Sequence, residues 1–206
     1  MNTLKQAKHE AIINETKKFI LDKSLEQVTV FDISKSLKVG EATIYRYFGT
    51  KKQLIIEVGV SLWKDLYQLV TQRSNKKTGY DNLNHFFSFF LEMYENQKQV
   101  YMFADQFDTF MINAQATKEE LKIYEEVILQ FKSIYDAFFQ QGLLDKTIKN
   151  EINPDLFYFT TTHMLIGLCK KLVVSPSLLQ SDEKVSDKNQ IQFCIDMSLS
   201  YIKKED

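Results

Sequence analysis

The sequence predicts an all-α chain of about nine helices, a small three-helix cluster at the N-terminus followed by a larger helical bundle. Apolar residues recur at helical spacing nearly throughout, and strand-like alternation is almost absent. Helix-start signatures punctuate the chain, as at Thr29-Val-Phe-Asp32, Thr50-Lys-Lys-Gln53, Thr117-Lys-Glu-Glu120 and Asn153-Pro154. Only two prolines and six glycines interrupt 206 residues.

Each element follows from these signals. Ile12, Ile13, Phe19 and Ile20 make one face of a first helix, over 5–23. A short helix starts at Thr29, with Ile33 and Leu37 as its inward pair, and a third runs from Glu41 to Phe48. Thr50 opens a long helix through Leu54, Val58, Leu62 and Leu69 to Arg73. The polar stretch Ser74–Gly79 breaks it and marks a boundary. Helices are expected over 81–97, 99–113 and 117–141. In the last of these, Leu121, Tyr124, Ile128, Phe131, Tyr135 and Phe138 form a stripe too short for a coiled coil. Asn153-Pro154 starts a helix to Val174, a loop covers 175–186, and a final helix spans 187–203.

Charge is segregated. Residues 1–52 hold ten Lys/Arg against six Asp/Glu, whereas the whole chain carries a net charge of −1. A basic small end on an acidic body suits contact with a polyanion at one end. No run of about 20 uncharged apolar residues reads as a membrane span, and MNTLKQAKHE lacks the apolar core of a signal peptide, so a cytoplasmic chain is expected. Cys169 and Cys194 lack disulfide-scaffold or zinc-finger spacing and read as buried thiols. His9, His85 and His163 are scattered, so neither metal nor cofactor is expected. Nucleophile elbow, phosphate loop and dinucleotide fingerprint are all missing, which argues against an enzyme.

The segment TVFDISKSLKVGEATIYRYFGTK, Thr29 to Lys51, carries the chemistry. Two short helices joined by a turn at Lys38-Val39-Gly40 have helix-turn-helix form, in which the second helix enters the major groove of DNA. At about 100° per residue, Ile44 and Phe48 face inward with Ile33, Leu37 and Val39, leaving Ala42, Thr43, Tyr45 and Arg46 facing out. That outward face is small, hydroxylated, aromatic and basic. Arg46 can fork onto guanine O6 and N7, and Glu41 can accept from cytosine N4 or complement the helix dipole. Ala42 permits close approach, while Thr29, Tyr45, Tyr47 and Lys51 offer donors to the sugar-phosphate backbone.

This segment resembles the DNA-binding domain of the tetracycline-repressor (TetR) family. The resemblance rests on Thr29-Val30, Ile33-Ser34, Lys38-Val39-Gly40, Thr43-Ile44-Tyr45-Arg46-Tyr47-Phe48, Lys51 and Leu54. Two positions depart from the family pattern. Lys38 replaces the usual turn glycine, so a side chain must hold φ > 0 at a cost of about 1 kcal/mol, and Gly40 replaces the usual serine cap. The resemblance implies a DNA-binding domain over 1–55 and a ligand-binding and dimerisation bundle over 56–206. It also implies a homodimer on a palindromic operator in double-stranded DNA, released by a small-molecule effector.

Residues 80–139 hold ten of the sixteen Phe and five of the ten Tyr. Phe86, Phe90, Tyr94, Phe103, Phe107, Phe110, Phe131, Tyr135 and Phe138, with His163, are the candidate lining of an effector pocket. The alternative for each is ordinary core, and an apolar or flat aromatic molecule would suit such a lining. The helix after Pro154 is apolar around most of its surface and calls for a partner on a second side. Phe157, Met164, Gly167 and Leu168, with Phe193, Ile195 and Leu199 of the last helix, are the candidate dimer face. Control by a protein partner, the lack of any effector, and a helical enzyme or interaction bundle stand as alternatives.

Overall fold

A computed structural model describes residues 3–72, 76–175 and 179–205. Among them are nine α-helices: α1 Thr3–Asp22, α2 Val30–Leu37, α3 Glu41–Phe48, α4 Lys51–Gln72, α5 Gly79–Asn96, α6 Lys98–Asn113, α7 Lys118–Leu144, α8 Pro154–Val174 and α9 Asp187–Ile202. The one β pairing among the described residues is an isolated antiparallel bridge between Ile148 and Lys203. All-α architecture thus agrees with the helical periodicity. Part of the expected 175–186 loop is a short 3-10 helix, Gln180–Lys184, in which Asp182 accepts from the Leu179 amide. The expected helix end at position 73, positions 74–75 of the expected boundary and 176–178 of that loop lie outside the described residues.

Local chemistry sets the helix starts. Asn153 accepts from the Leu156 amide ahead of Pro154, Thr78 accepts from the Asp81 amide, and Ser186 accepts from the Asn189 amide. Each bond satisfies an amide that the first helical turn leaves without an intrahelical partner.

Packing divides the chain into two compact units, residues 1–66 with 103–128 and residues 67–102 with 129–206. The first unit is built on one apolar core. Ile12, Ile20, Leu25, Ile33, Ile44 and Phe48 from the α1–α3 region join Leu54, Val58, Phe103, Phe107 and Met111 there. The expected 1–55 segment therefore lies wholly inside this unit, and its core is completed by side chains about 50 or more residues further along.

In the second unit α5 packs against α8 and α9. Its start crosses α7 closely: a Cβ on Gly79 would stand 2.0 Å from the Gly142 nitrogen. Buried Asn82 fastens this end, its amide donating to Gln141 Oε1 at 2.9 Å and its carbonyl oxygen accepting from the Lys76 amide at 2.8 Å. Rings fill the interior, with Phe86 edge-on to Phe87 at 5.3 Å, Phe87 edge-on to Phe157 at 5.8 Å, and Tyr135 against Tyr158 at 4.9 Å.

Candidate nucleic-acid interface

Thr29 and Asp32 satisfy each other's backbone amides at the start of α2, the reciprocal bonds of a capping box. The Thr29 hydroxyl also donates to Asp32 Oδ2 at 2.6 Å, which holds that carboxyl below its ordinary value. At the other end Lys38 takes the left-handed conformation, φ 53° and ψ 42°. The Val39 amide reaches back to Ser34 O at 3.0 Å and the Lys38 amide to Lys35 O at 3.3 Å. Those two bonds are a Schellman motif, built here on lysine rather than glycine. The expected positive φ is therefore present, and the chain accepts its strain to turn sharply into α3.

α3 begins after Gly40, which adopts extended φ −73° and ψ 146° with no side chain to cap the helix. It stops at Gly49, φ 72°, and the Thr50 hydroxyl then accepts from the Gln53 amide to start α4. Ile44 and Phe48 are 1% and 5% exposed, so the inward face is the one the periodicity assigned. Ala42, Tyr45 and Arg46 are exposed away from that face and Glu41 is exposed at the first turn, while Thr43 and Tyr47 are half-buried. Tyr47 lies 6.2 Å from the His9 ring, and His9 stacks on Phe48 at 4.6 Å while pairing with Glu57 at 2.8 Å. A cation, an aromatic and two small side chains thus share a solvent-facing surface on a helix whose back is locked into a core. Such a surface can enter a major groove without repacking.

Thr29 and Lys51 flank that surface but are engaged within the protein. Lys51 Nζ donates to Leu25 O at 3.3 Å and lies 5.6 Å from the Phe110 ring centroid. Burial lowers its ammonium below the ordinary lysine value. Three more bonds brace the same unit across long sequence separations. The Leu25 amide donates to Gln106 Oε1 at 2.6 Å, Lys52 pairs with Glu120 at 2.6 Å, and Trp63 Nε1 donates to Tyr124 OH at 2.6 Å. Tyr124 in turn stacks on Phe107 at 4.3 Å. Sequence periodicity carries no signal for these ties, since each joins residues 61 to 81 positions apart or comparably distant. Also unanticipated is Phe31, 57% exposed on α2 beside exposed Lys35 and Lys38.

The aromatic candidates do not all come together. Phe103, Phe107 and Phe110 belong to the first unit, while Phe86, Phe90, Tyr94, Phe131, Tyr135, Phe138 and His163 belong to the second. Phe86, Tyr94 and Tyr135 are buried, and His163 is exposed. Their polar tips are satisfied: Tyr135 donates to Pro154 O at 3.1 Å, and Tyr94 bonds to Asp187. A recess of about 270 Å³ in the second unit is lined instead by residues such as Leu168, Lys171, Asp182 and Gln190. Burial pushes the Cys169 thiol up to about 11, as befits an inert core thiol.

The dimer-face candidates also divide. Phe157, Ile195 and Leu199 are 7%, 0% and 2% exposed, filling the second unit's own core. Met164 and Leu168 are half-buried, whereas Gly167 and Phe193 are exposed. Leu156, Phe159, Met197 and Tyr201 join Phe193 as exposed large apolar side chains on α8 and α9.

The family model of bacterial regulatory proteins of the tetR family matches residues 12–58, which span α2, α3 and the core-facing parts of α1 and α4. The HTH-type transcriptional regulator YdeS of Bacillus subtilis (strain 168) is 23% identical over 150 residues, covering 73% of this chain and 74% of that protein. A TetR transcription regulator from Haloarcula marismortui matches with TM-score 0.75 at 12% identity, over 97% of this chain and 100% of that one. A TetR-family regulator from Mesorhizobium loti matches with TM-score 0.71 at 14% identity, over 98% and 100% of the two chains. The structural likeness shows a shared fold, and the sequence match falls on the segment that contains α2 and α3. Residues 12–58 thus match the tetR-family model of bacterial regulatory proteins, and the chain as a whole shares the fold of TetR-family regulators.

Proposed function

We propose that this protein is a cytoplasmic repressor that binds a palindromic operator as a homodimer and is released by a small apolar or aromatic effector. The observation that carries the DNA half is the exposed set Glu41, Ala42, Tyr45 and Arg46, with half-buried Thr43 among them, on a helix anchored by Ile44 and Phe48. In this reading Arg46 contacts guanine or phosphate, Thr43 faces the base edges, and Tyr45 donates to the sugar-phosphate backbone. Tyr47, Thr29 and Lys51 donate to the backbone, with Lys51 exchanging its bond to Leu25 O for a phosphate. Residues 1–55 act as the DNA-binding part and 56–206 as the effector and dimer part.

The exposed apolar stripe on α8 and α9 supports a second copy as partner. Leu156, Phe159, His163 and Gly167 follow one another at helical spacing on α8, as Phe193, Met197 and Tyr201 do on α9. A homodimer reading a palindrome needs its two α3 helices about 34–36 Å apart, one turn of DNA. For the effector, the packed rings of Phe86, Tyr135 and their neighbours support an apolar ligand that must open an aromatic core to enter.

The test is a duplex selected by the protein from a random-sequence library, then titrated at several salt concentrations. Changing Tyr45 and Arg46 together to Ala should weaken binding at least 100-fold and flatten the salt dependence. Unchanged affinity in that double variant would refute the assigned face.

A further inference from the structure

α2 exposes an aromatic side chain for which the protein's own fold gives no use. Phe31 is 57% exposed, and in α2 and α3 only Tyr45, at 44%, is another exposed large hydrophobic. The helix buries Val30, Ile33 and Ser34, so its core face is filled without Phe31. Ser36 bonds to Glu15, which fixes the flank of α2 that faces α1. Phe31 lies about 140° around the helix from Ser36, on the flank turned away from α1. Lys35, four residues on, shares this flank, and Lys38 follows at the end of the helix; both are exposed. Asp32, the acid nearest this flank in sequence, is tied back to Thr29.

Building on the DNA-binding reading above, we propose that this flank is a second DNA contact, in which Phe31 reads the methyl group of a thymine in each half-site. Lys35 on α2 and Lys38 at its end add two exposed ammonium groups, charge that favours a helix lying along phosphates. The apolar feature a base pair offers in the major groove is the thymine C5-methyl. The first helix of a helix-turn-helix crosses the DNA backbone beside the recognition helix, which puts the N-terminal turn of α2 at the groove edge. The contact thus extends the surface of Tyr45 and Arg46.

The experiment uses the full chain and the duplex that it selects from a random library. Each thymine of the half-site is replaced in turn by deoxyuridine, which removes only the methyl. Replacement at one position should weaken wild-type binding about fourfold per half-site and about fifteenfold in both, the factor carried by one buried methyl group. Phe31→Ala should bind the parent duplex more weakly by at least that factor, be indifferent to that replacement, and melt at the wild-type temperature. Wild-type affinity for Phe31→Ala overturns the proposal. So does a weakened variant whose parent protein shows no deoxyuridine effect at any position, because the contact is then to deoxyribose. Failure to select any duplex refutes the DNA-reading assignment itself and is distinguishable from both.

Discussion

Gly79→Ala should destabilise this protein by about 3–5 kcal/mol, although it adds a single methyl group. Gly79 opens α5 with ordinary helical backbone, so its requirement is space rather than conformation. An added Cβ would lie 2.0 Å from Gly142 N, 2.3 Å from Gly142 Cα and 2.6 Å from Phe138 O, all backbone atoms of α7. Ordinary contact needs about 3.5 Å, so the crossing must open by more than an ångström. Opening it would strain the bond from the Gly79 amide to Asp145 Oδ2 at 2.7 Å and that from the Tyr80 amide to Thr147 Oγ1 at 3.2 Å. Overpacking costs about 1–3 kcal/mol and each lost bond about 1 kcal/mol. For a chain of this length that lowers Tm by about 10 °C. Gly167→Ala, melted at a concentration that keeps the chain monomeric, is the control, because within one subunit its Cβ would meet nothing within 4 Å and α8 would gain about 1 kcal/mol of helix propensity. Thermal melts followed by circular dichroism, at one protein concentration, should therefore move in opposite directions. A Gly79→Ala melt within 1 °C of wild type would sink the argument.

Three further expectations follow from other contacts. Lys52 holds the Glu120 carboxyl at about 2, below its ordinary 4.5. Its stabilising effect is thus present above pH 4.5 and lost as pH falls toward 2, so Glu120→Gln should remove part of the acid limb of the stability-pH profile; an unchanged limb refutes the pairing. Lys38→Gly should raise stability by about 0.5–1 kcal/mol, because relief of a left-handed side chain outweighs the entropy of glycine, and chemical denaturation reads the sign. Phe193→Asp, at a position 67% exposed, should leave helix content intact but convert a dimer to a monomer in sedimentation, and a persistent dimer would place the interface elsewhere.

Much of the α1–α4 region was legible because its information is local. The Thr29 capping box, the left-handed Lys38, the Thr50 cap and the inward Ile44 and Phe48 each depend on residues within about five positions. Phe31 escaped notice because its type suggests burial, and only the filled core beneath α2 shows that nothing covers it. The 3-10 turn at Gln180–Lys184 escaped because such short helices leave little periodic trace.

The sequence by itself determined that the chain is helical, where most helices begin, and which side of α3 faces outward, since all three follow from capping and 3.6-residue periodicity. Only the tertiary structure decided which apolar faces meet. It placed Phe103, Phe107 and Met111 in one core with Ile44 and Phe48, and it tied Leu25 to Gln106. It turned Phe157, Ile195 and Leu199 inward while leaving Phe159, Phe193, Met197 and Tyr201 exposed. Hydrophobic burial is non-directional, so an apolar residue states that it seeks a partner without naming one, and on helices as evenly apolar as α8 only packing makes the choice.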